Sequence, residues 1–289
     1  MAITAKYKIY HLLVLIAVIY ILLFSIFPIA YMVYGSFTNW RLGVPEMSFV
    51  GLQHYVSLFE DYRFYNSLQV TFYITVIAVS CEVILGLFLA ELMRGGSRFF
   101  RTIFLMPLFC APVAVALMGE VIFYEGYPGG PVNGILNMIG IGNIPWRSSP
   151  LVAPFTVTLC DIWMWTPFCF LITLAALEAI PKELTEAAVV DGASSFQIFR
   201  KINLPLITGP LITISMFRII DTLKIFDIPF VLVGGGGPGI ATETLSIYAY
   251  KEAFRGFNMG AASAISVVFL MIVSIVSAIA IKRLRGYYA

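Results

Sequence analysis

The stretch from Glu178 to Pro205, EAIPKELTEAAVVDGASSFQIFRKINLP, is the one long polar and charged segment between two strongly apolar ones. What flanks it is apolar enough to leave water, and the segment itself must stay in water. Pro181 suits the first turn of a helix, and Lys182 to Val190 are mostly residues that favour or tolerate helix. Gly192 permits a turn, and Ser194 or Ser195 can cap a second helix through Arg200. Two short helices joined at Gly192 are therefore expected. Ala187 and Ala188 leave a face without bulk that can press into a cleft on another protein, flanked by the register-fixing charges Glu186 and Asp191. Leu204 and Pro205 then launch the next apolar run, so a push on the short helices would pass directly into it. A plain soluble connecting loop is the competing reading.

The 289-residue chain is 60% hydrophobic and only 12% charged, with a mean hydropathy of +0.92. Such a composition cannot make an ordinary water-facing surface, so a polytopic all-α membrane protein is expected. Six stretches are long enough to cross a hydrocarbon core: Leu12 to Tyr34, Ser67 to Met93, Thr102 to Tyr124, Leu151 to Leu177, Leu206 to Val233, and Asn258 to Ile281. Together they are expected to form a single transmembrane domain. The first is too long for a signal-peptide core and lacks a small-residue cleavage pattern, so it reads as a retained helix, kinked at Pro28. A net charge of +2 gives no footprint for nucleic acid. Cys81, Cys110, Cys160 and Cys169 lie inside apolar runs with no His beside them, so neither a metal nor a disulfide is expected. His11 and His54 read as interfacial.

Lys and Arg placement orients the chain. With both termini cytoplasmic, the inner segments hold Lys6, Lys8, Arg94, Arg98, Arg101, Lys182, Arg200, Lys201, Lys282, Arg283 and Arg285. The outer segments hold only Arg41, Arg63, Arg147, Lys251 and Arg255. The positive-inside rule thus puts Glu178 to Pro205 in the cytoplasm. On the outer side, Phe49 to Phe64 reads as a short interfacial helix and Glu125 to Pro150 as an irregular cap.

Glu186-Ala187-Ala188, followed by Gly192, Ile202 and Leu204-Pro205, resembles the EAA signature of the permease subunits of binding-protein-dependent ABC importers. It matches at every defining position. Phe37-Thr38-Asn39-Trp40, Phe49-Val50-Gly51-Leu52 with Tyr55, and Gly236-Gly237-Pro238-Gly239 leading to Thr242-Glu243-Thr244-Leu245 are similar to the carbohydrate branch, of the maltose-permease type. Val233 stands where that branch usually has Thr, and the run Gly234 to Gly237 is one residue longer. The resemblance implies that Glu186, Ala187, Ala188, Asp191 and Gly192 dock into a separate ATP-hydrolysing subunit. The implied partners are a second related permease, two ATP-binding cassette subunits, an extracytoplasmic solute-binding protein and membrane lipid. ATP and Mg would be used by the partner ATPase, with no cofactor on this chain. A bacterial or archaeal cytoplasmic membrane is the implied location, with the first helix packing on the partner permease.

A sugar pathway needs aromatic faces and polar groups inside an apolar bundle. Asp161, Trp165 and Phe168 share one face of the fourth span. Arg218, Asp221, Lys224 and Asp227 follow at steps of three, and on a continuous helix such steps drift too far for all four to face one pore. The resemblance matches Asp161, Trp165 and Phe168 to cavity-facing positions, and Lys224 and Asp227 to a polar pair before the glycine-rich end. The alternatives are that Asp221, Lys224 and Asp227 neutralise one another and that Trp163 and Trp165 pack on neighbouring helices. Glu82 reads as a helix-contact residue. No GxxxxGK[ST], HExxH or GxSxG motif occurs, and no catalytic residue is expected. Two rivals remain: an intramembrane enzyme using Asp161 and Asp227 as acid and base, and a proton-coupled carrier. A sugar-phosphate, polyol or acidic oligosaccharide is an alternative solute.

Overall fold

The computed structural model describes residues 14–126 and 129–288. Lys6, Lys8, His11 and the start of the first span lie outside them. Twelve helices are named here. They are α1 (Val14–Gly35), α2 (Gln53–Glu60), α3 (Tyr62–Leu92), α4 (Arg98–Leu105), α5 (Pro112–Ile122), α6 (Pro131–Met138), α7 (Ala153–Glu178) and α8 (Lys182–Val190). There follow α9 (Ser195–Thr222), α10 (Asp227–Leu232), α11 (Leu245–Tyr250) and α12 (Met259–Tyr288). Among the described residues only one isolated β-bridge, Thr38 with Phe49, breaks the all-α character. Five helices are long and apolar enough to span a membrane, or six if the bent pair described below is one span.

Three expected spans differ in form. The third is not straight: Arg98–Phe109 and Pro112–Ile122 meet at 98°. Pro107 opens a short 3-10 turn, and Cys110 and Ala111, ahead of Pro112, are extended with ψ of 138° and 143°. A residue before proline is pushed out of the helical region, so the bend is local to this sequence. The fifth span begins earlier than expected, at Ser195, and stops at Thr222 before restarting at Asp227. The first span carries Pro28 behind a π-turn over Leu22–Ile26, and α9 carries Pro205 behind a π-turn over Phe199–Asn203. Both turns end two residues before the proline. A π-turn widens the helix where the ring would strike the carbonyl four residues back.

The chain divides into two compact units. In the smaller, comprising α1, α2 and Tyr248–Met271, the Phe37 and Phe49 motifs form the two arms of one knot. Val50 N–H donates to the Phe37 carbonyl at 2.8 Å, His54 Nε2 lies 2.9 Å from the Thr38 carbonyl, and Ser36 Oγ meets Tyr55 Oη at 2.7 Å. His54 therefore has a specific partner within this knot.

The larger unit runs from Tyr62 to Ile247 and resumes at Ile272. Its centre is the long contact of α3 with α7. Ala78, Glu82, Gly86 and Ala90, spaced by four along α3, are all buried, and small residues in such a stripe let helices approach closely. Within the expected outer cap, residues 129–150 are more ordered than an irregular loop, because Pro131 starts α6 and Asn133 closes the segment. The Asn133 amide bonds the Ile144 backbone in both directions and accepts from Trp146 Nε1 at 2.9 Å. Arg147 Nη2 reaches Glu120 Oε1, and its Nε donates to the Leu232 carbonyl, each at 2.7 Å. Partial burial would raise the Glu125 carboxyl, but the Ser148 hydroxyl and the backbone N–H groups of Arg147 and Ser148 outweigh it and hold it below 4.5.

Two predictions follow from this packing. A Cβ on Gly86 would sit 2.6 Å from Cys169 Cβ and 2.8 Å from the Phe170 backbone nitrogen. Gly86→Ala is expected to destabilise by about 1–3 kcal/mol, seen as a lower Tm of purified protein. A lowered carboxyl contributes stability above its ordinary value of 4.5 and loses it as pH falls through the lowered value. The Tm gap between wild type and Glu125→Gln should therefore be full at neutral pH and close on acidification through that value; a gap that is constant with pH would refute it.

Candidate functional site

The segment between α7 and α9 carries its functional residues on its surface. The helix α8 ends in a Schellman motif: Ala193 N–H donates to the Ala188 carbonyl at 2.9 Å and Gly192 N–H to the Val189 carbonyl at 3.0 Å. Gly192 sits at φ +77°, a left-handed conformation that only glycine adopts without strain. Ser194 then opens α9 with a capping box, its hydroxyl accepting from Gln197 N–H while the Gln197 side chain accepts from Ser194 N–H. Glu186, Ala187, Asp191 and Gly192 are exposed and Ala188 half-buried. Leu184, Val189, Val190 and Phe196 are exposed as well, Val190 at 86%. Val189, Val190 and Phe196 flank the Gly192 turn, and that placement of apolar residues in an otherwise polar segment is their signal in the sequence, while Leu184 lies in the first turn of α8.

The second short helix is not a separate element. It continues through the π-turn at Phe199–Asn203 into the spanning part of α9. At the other side, Arg101 Nη1 pairs with Glu178 Oε1 at 2.7 Å, tying α4 to the last residue of α7.

At the far end of α9 a cavity of about 210 Å³ is lined by Pro112, Asp161, Trp165, Asp221, Thr222, Lys224, Ile225, Phe226, Asp227 and Ile228. It brings together Asp161, Trp165, Lys224 and Asp227, four of the five residues expected along a solute path. Phe168 does not line it; its ring packs on Trp165 at 6.0 Å and on Phe217 at 5.3 Å. As expected, the four do not all face one pore, since Arg218 stays outside the lining, but the helix stops after Thr222. Beyond Thr222 the chain turns, so Asp221, Lys224 and Asp227 reach one cavity. The turn is repaired from the glycine-rich side, where Thr244 Oγ1 donates to the Ile225 carbonyl at 3.0 Å and Ser246 Oγ to the Lys224 carbonyl at 3.4 Å. Glu243 grips Arg63 with two bonds of 2.8 and 2.7 Å. The Thr242 to Leu245 motif thus holds the break open and fixes it to α3.

Neutralisation follows a different pattern from the one expected of Asp221, Lys224 and Asp227. Asp221 pairs with Arg218 at 2.6 Å, and among the described residues no ion pair joins Lys224 to Asp221 or Asp227. Arg218 also takes Glu82 through Nε at 2.7 Å and Nη2 at 2.9 Å, and Asp161 through Nη2 at 3.0 Å. Its guanidinium lies 4.3 Å from the Trp165 ring centre. Glu82 is a contact between α3 and α9. Thr222, not singled out from sequence, has a buried hydroxyl with no protein partner among the described residues. A larger cavity of about 590 Å³, at the bend of the third span, is walled by side chains such as Leu85, Phe104, Pro107 and Trp163. Its one hydroxyl, on Thr166, donates to the Ile162 carbonyl, and its lining carries no charged side chain.

Residues 82–285 match the family described as "Binding-protein-dependent transport system inner membrane component". The trehalose/maltose transport system permease protein MalF of Thermococcus litoralis is 36% identical over 92% of this chain and 90% of its own length. The sulfoquinovosyl glycerol transport system permease protein SmoG of Agrobacterium fabrum is 34% identical over 93% and 88%. A permease chain of a bacterial alginate ABC transporter, crystallised with an alginate pentasaccharide-bound periplasmic protein, has the same fold. Its TM-score is 0.82 at 22% identity, covering 96% of this chain and 94% of that one. With a family match over residues 82–285 and relatives that align over nearly its whole length, this chain belongs to the family of inner membrane components of binding-protein-dependent transport systems.

Proposed function

We propose that the chain forms half of the translocation pathway of an ATP-driven importer for neutral carbohydrates. In this reading it docks a separate ATPase through Glu186, Ala187, Ala188, Asp191 and Gly192. The observation that carries the reading is the continuity of α9. Its 28 residues span about 40 Å, with the docking segment at one end and the polar cavity at the other. Closure of two ATP-binding cassette subunits, using ATP and Mg, would move α8 and the start of α9, and the rigid helix would carry that displacement to the cavity wall. A second permease would supply the facing wall and an extracytoplasmic binding protein the solute. Both termini would lie in the cytoplasm of a bacterium or archaeon, an orientation that the Lys and Arg distribution supports.

The solute class rests on the cavity. Trp165 offers a ring face, and Asp227 and Lys224 offer charged hydrogen-bonding groups that suit hydroxyls. The relatives named for trehalose/maltose and sulfoquinovosyl glycerol support a sugar or sugar derivative. With Asp161 and Asp221 paired to Arg218, Asp227 and Lys224 are the charges left at the wall and they balance, which suits a neutral solute; Lys224 is what favours the second reading, a sugar-phosphate or acidic saccharide. The intramembrane-enzyme reading loses support because Asp161 Oδ2 is committed to Arg218.

Two measurements test this reading. Gly192→Asp and Glu186→Lys are expected to abolish co-purification of the ATPase and uptake together; retained association and uptake in both would defeat the docking assignment. Trp165→Ala and Asp227→Asn should keep the ATPase bound but lower uptake of labelled trehalose or maltose about tenfold, the loss of one stacking or hydrogen-bonding contact. Wild-type rates in both would remove the cavity from the pathway.

A further inference from the structure

Arg218 is fully buried and does not line the cavity, yet it touches three residues that do. Its guanidinium is bonded to Asp161 and Asp221 and stacked on Trp165. Glu82, also fully buried and outside the cavity lining, takes Nε and Nη2 in a two-pronged pair at 2.7 and 2.9 Å. The four partners come from three spans: Glu82 from α3, Asp161 and Trp165 from α7, and Asp221 from α9 itself. Ionisable groups at this depth are costly and persist where they pair or serve a path. A pair retained only to join helices needs one carboxylate. Here Glu82 already satisfies that need, and the remaining donors of the fork are spent on the cavity wall.

We propose that Arg218 is a positioning residue for solute passage: anchored by Glu82, it holds Asp161, Asp221 and the Trp165 ring in the cavity wall and fixes which solutes that wall accepts. The planar fork is what the role requires, since an ammonium can neutralise Glu82 but cannot bond three carboxylates in fixed directions while stacking on an indole. Because Arg218 rides on α9, the same fork brings the wall under the control of the helix that starts at the docking segment. This inference rests on the cavity belonging to the solute path.

The test uses the assembled complex in proteoliposomes, with its ATPase, partner permease and binding protein. Labelled trehalose and maltose serve as probes, and the readouts are solute moved per ATP hydrolysed and the trehalose-to-maltose preference. Arg218→Lys, which keeps the charge, is expected to lower solute moved per ATP about tenfold and to shift the preference. The paired replacement Glu82→Leu with Arg218→Met removes the two fully buried charges without leaving either of them unpaired, and leaves Asp161 and Asp221 to the cavity they line. It should give the same defect in the complex that assembles. Wild-type transport per ATP and preference in either variant would make the network a mere helix staple and overturn the proposal; if the double variant fails to assemble, Arg218→Lys alone decides. Should Trp165→Ala and Asp227→Asn leave transport unchanged, the pathway reading falls instead. A defect in those two with none in the Arg218 variants overturns this inference alone.

Discussion

In an apolar medium every backbone N–H and C=O must be bonded within the protein, and the shape of this chain follows from how each break in that rule is repaired. The breaks are set by four of the prolines and by the end of α9, while Pro167 and Pro210 lie within the continuous runs of α7 and α9. At Pro28 and Pro205 the helix widens into a π-turn and continues. At Pro107 and Pro112 the two prolines lie so close that the chain turns by 98°. At Thr222 the carbonyls freed beyond the helix are taken by Thr244 and Ser246, and the space opened there is the polar cavity. The cavity exists because the helix ends where a distant segment can satisfy it.

The legible part of the fold was what local rules decide. Five spans were readable from apolar length, and the Gly192 turn from one glycine between a helix-forming run and a capping serine. The bend of the third span was written in Met106 to Pro112, MPLFCAP, but a search for length alone absorbs two prolines into an apolar window. The break after Thr222 is marked locally only by its restart, with Asp227 and Pro229 in the first turn of α10, and what closes it is distant, because Lys224 and Ile225 depend on hydroxyls some twenty positions away. The same holds for Phe168. Spacing put it on the face of Asp161 and Trp165, but an aromatic neighbour, Phe217, claims its ring.

Charge in the interior was legible in amount and not in pairing. Steps of three from Arg218 to Asp227 suggested neighbours pairing along one helix, which holds for Arg218 with Asp221 and goes no further. A guanidinium in a low-dielectric setting instead takes the partners that fill its fork, and those came from α3 and α7 as well. Glu82 is the counter-ion that frees the remaining donors for the wall. Lys224 and Asp227, beyond the helix end, are left to face the cavity.

The π-turn at Phe199–Asn203 bears on how motion passes along α9. A helix driven from one end transmits displacement only if it does not fold where the load enters, and the load enters at α8 and Gly192. The turn lies one helical turn inside that point, where the capping box of Ser194 and Gln197 holds the start of the helix. Its wider ring keeps the backbone bonded across Pro205, so the helix stays continuous through a residue that would otherwise kink it. A proline repaired by a π-turn preserves the lever; one repaired by a bend, as in the third span, would have spent the same motion at its base.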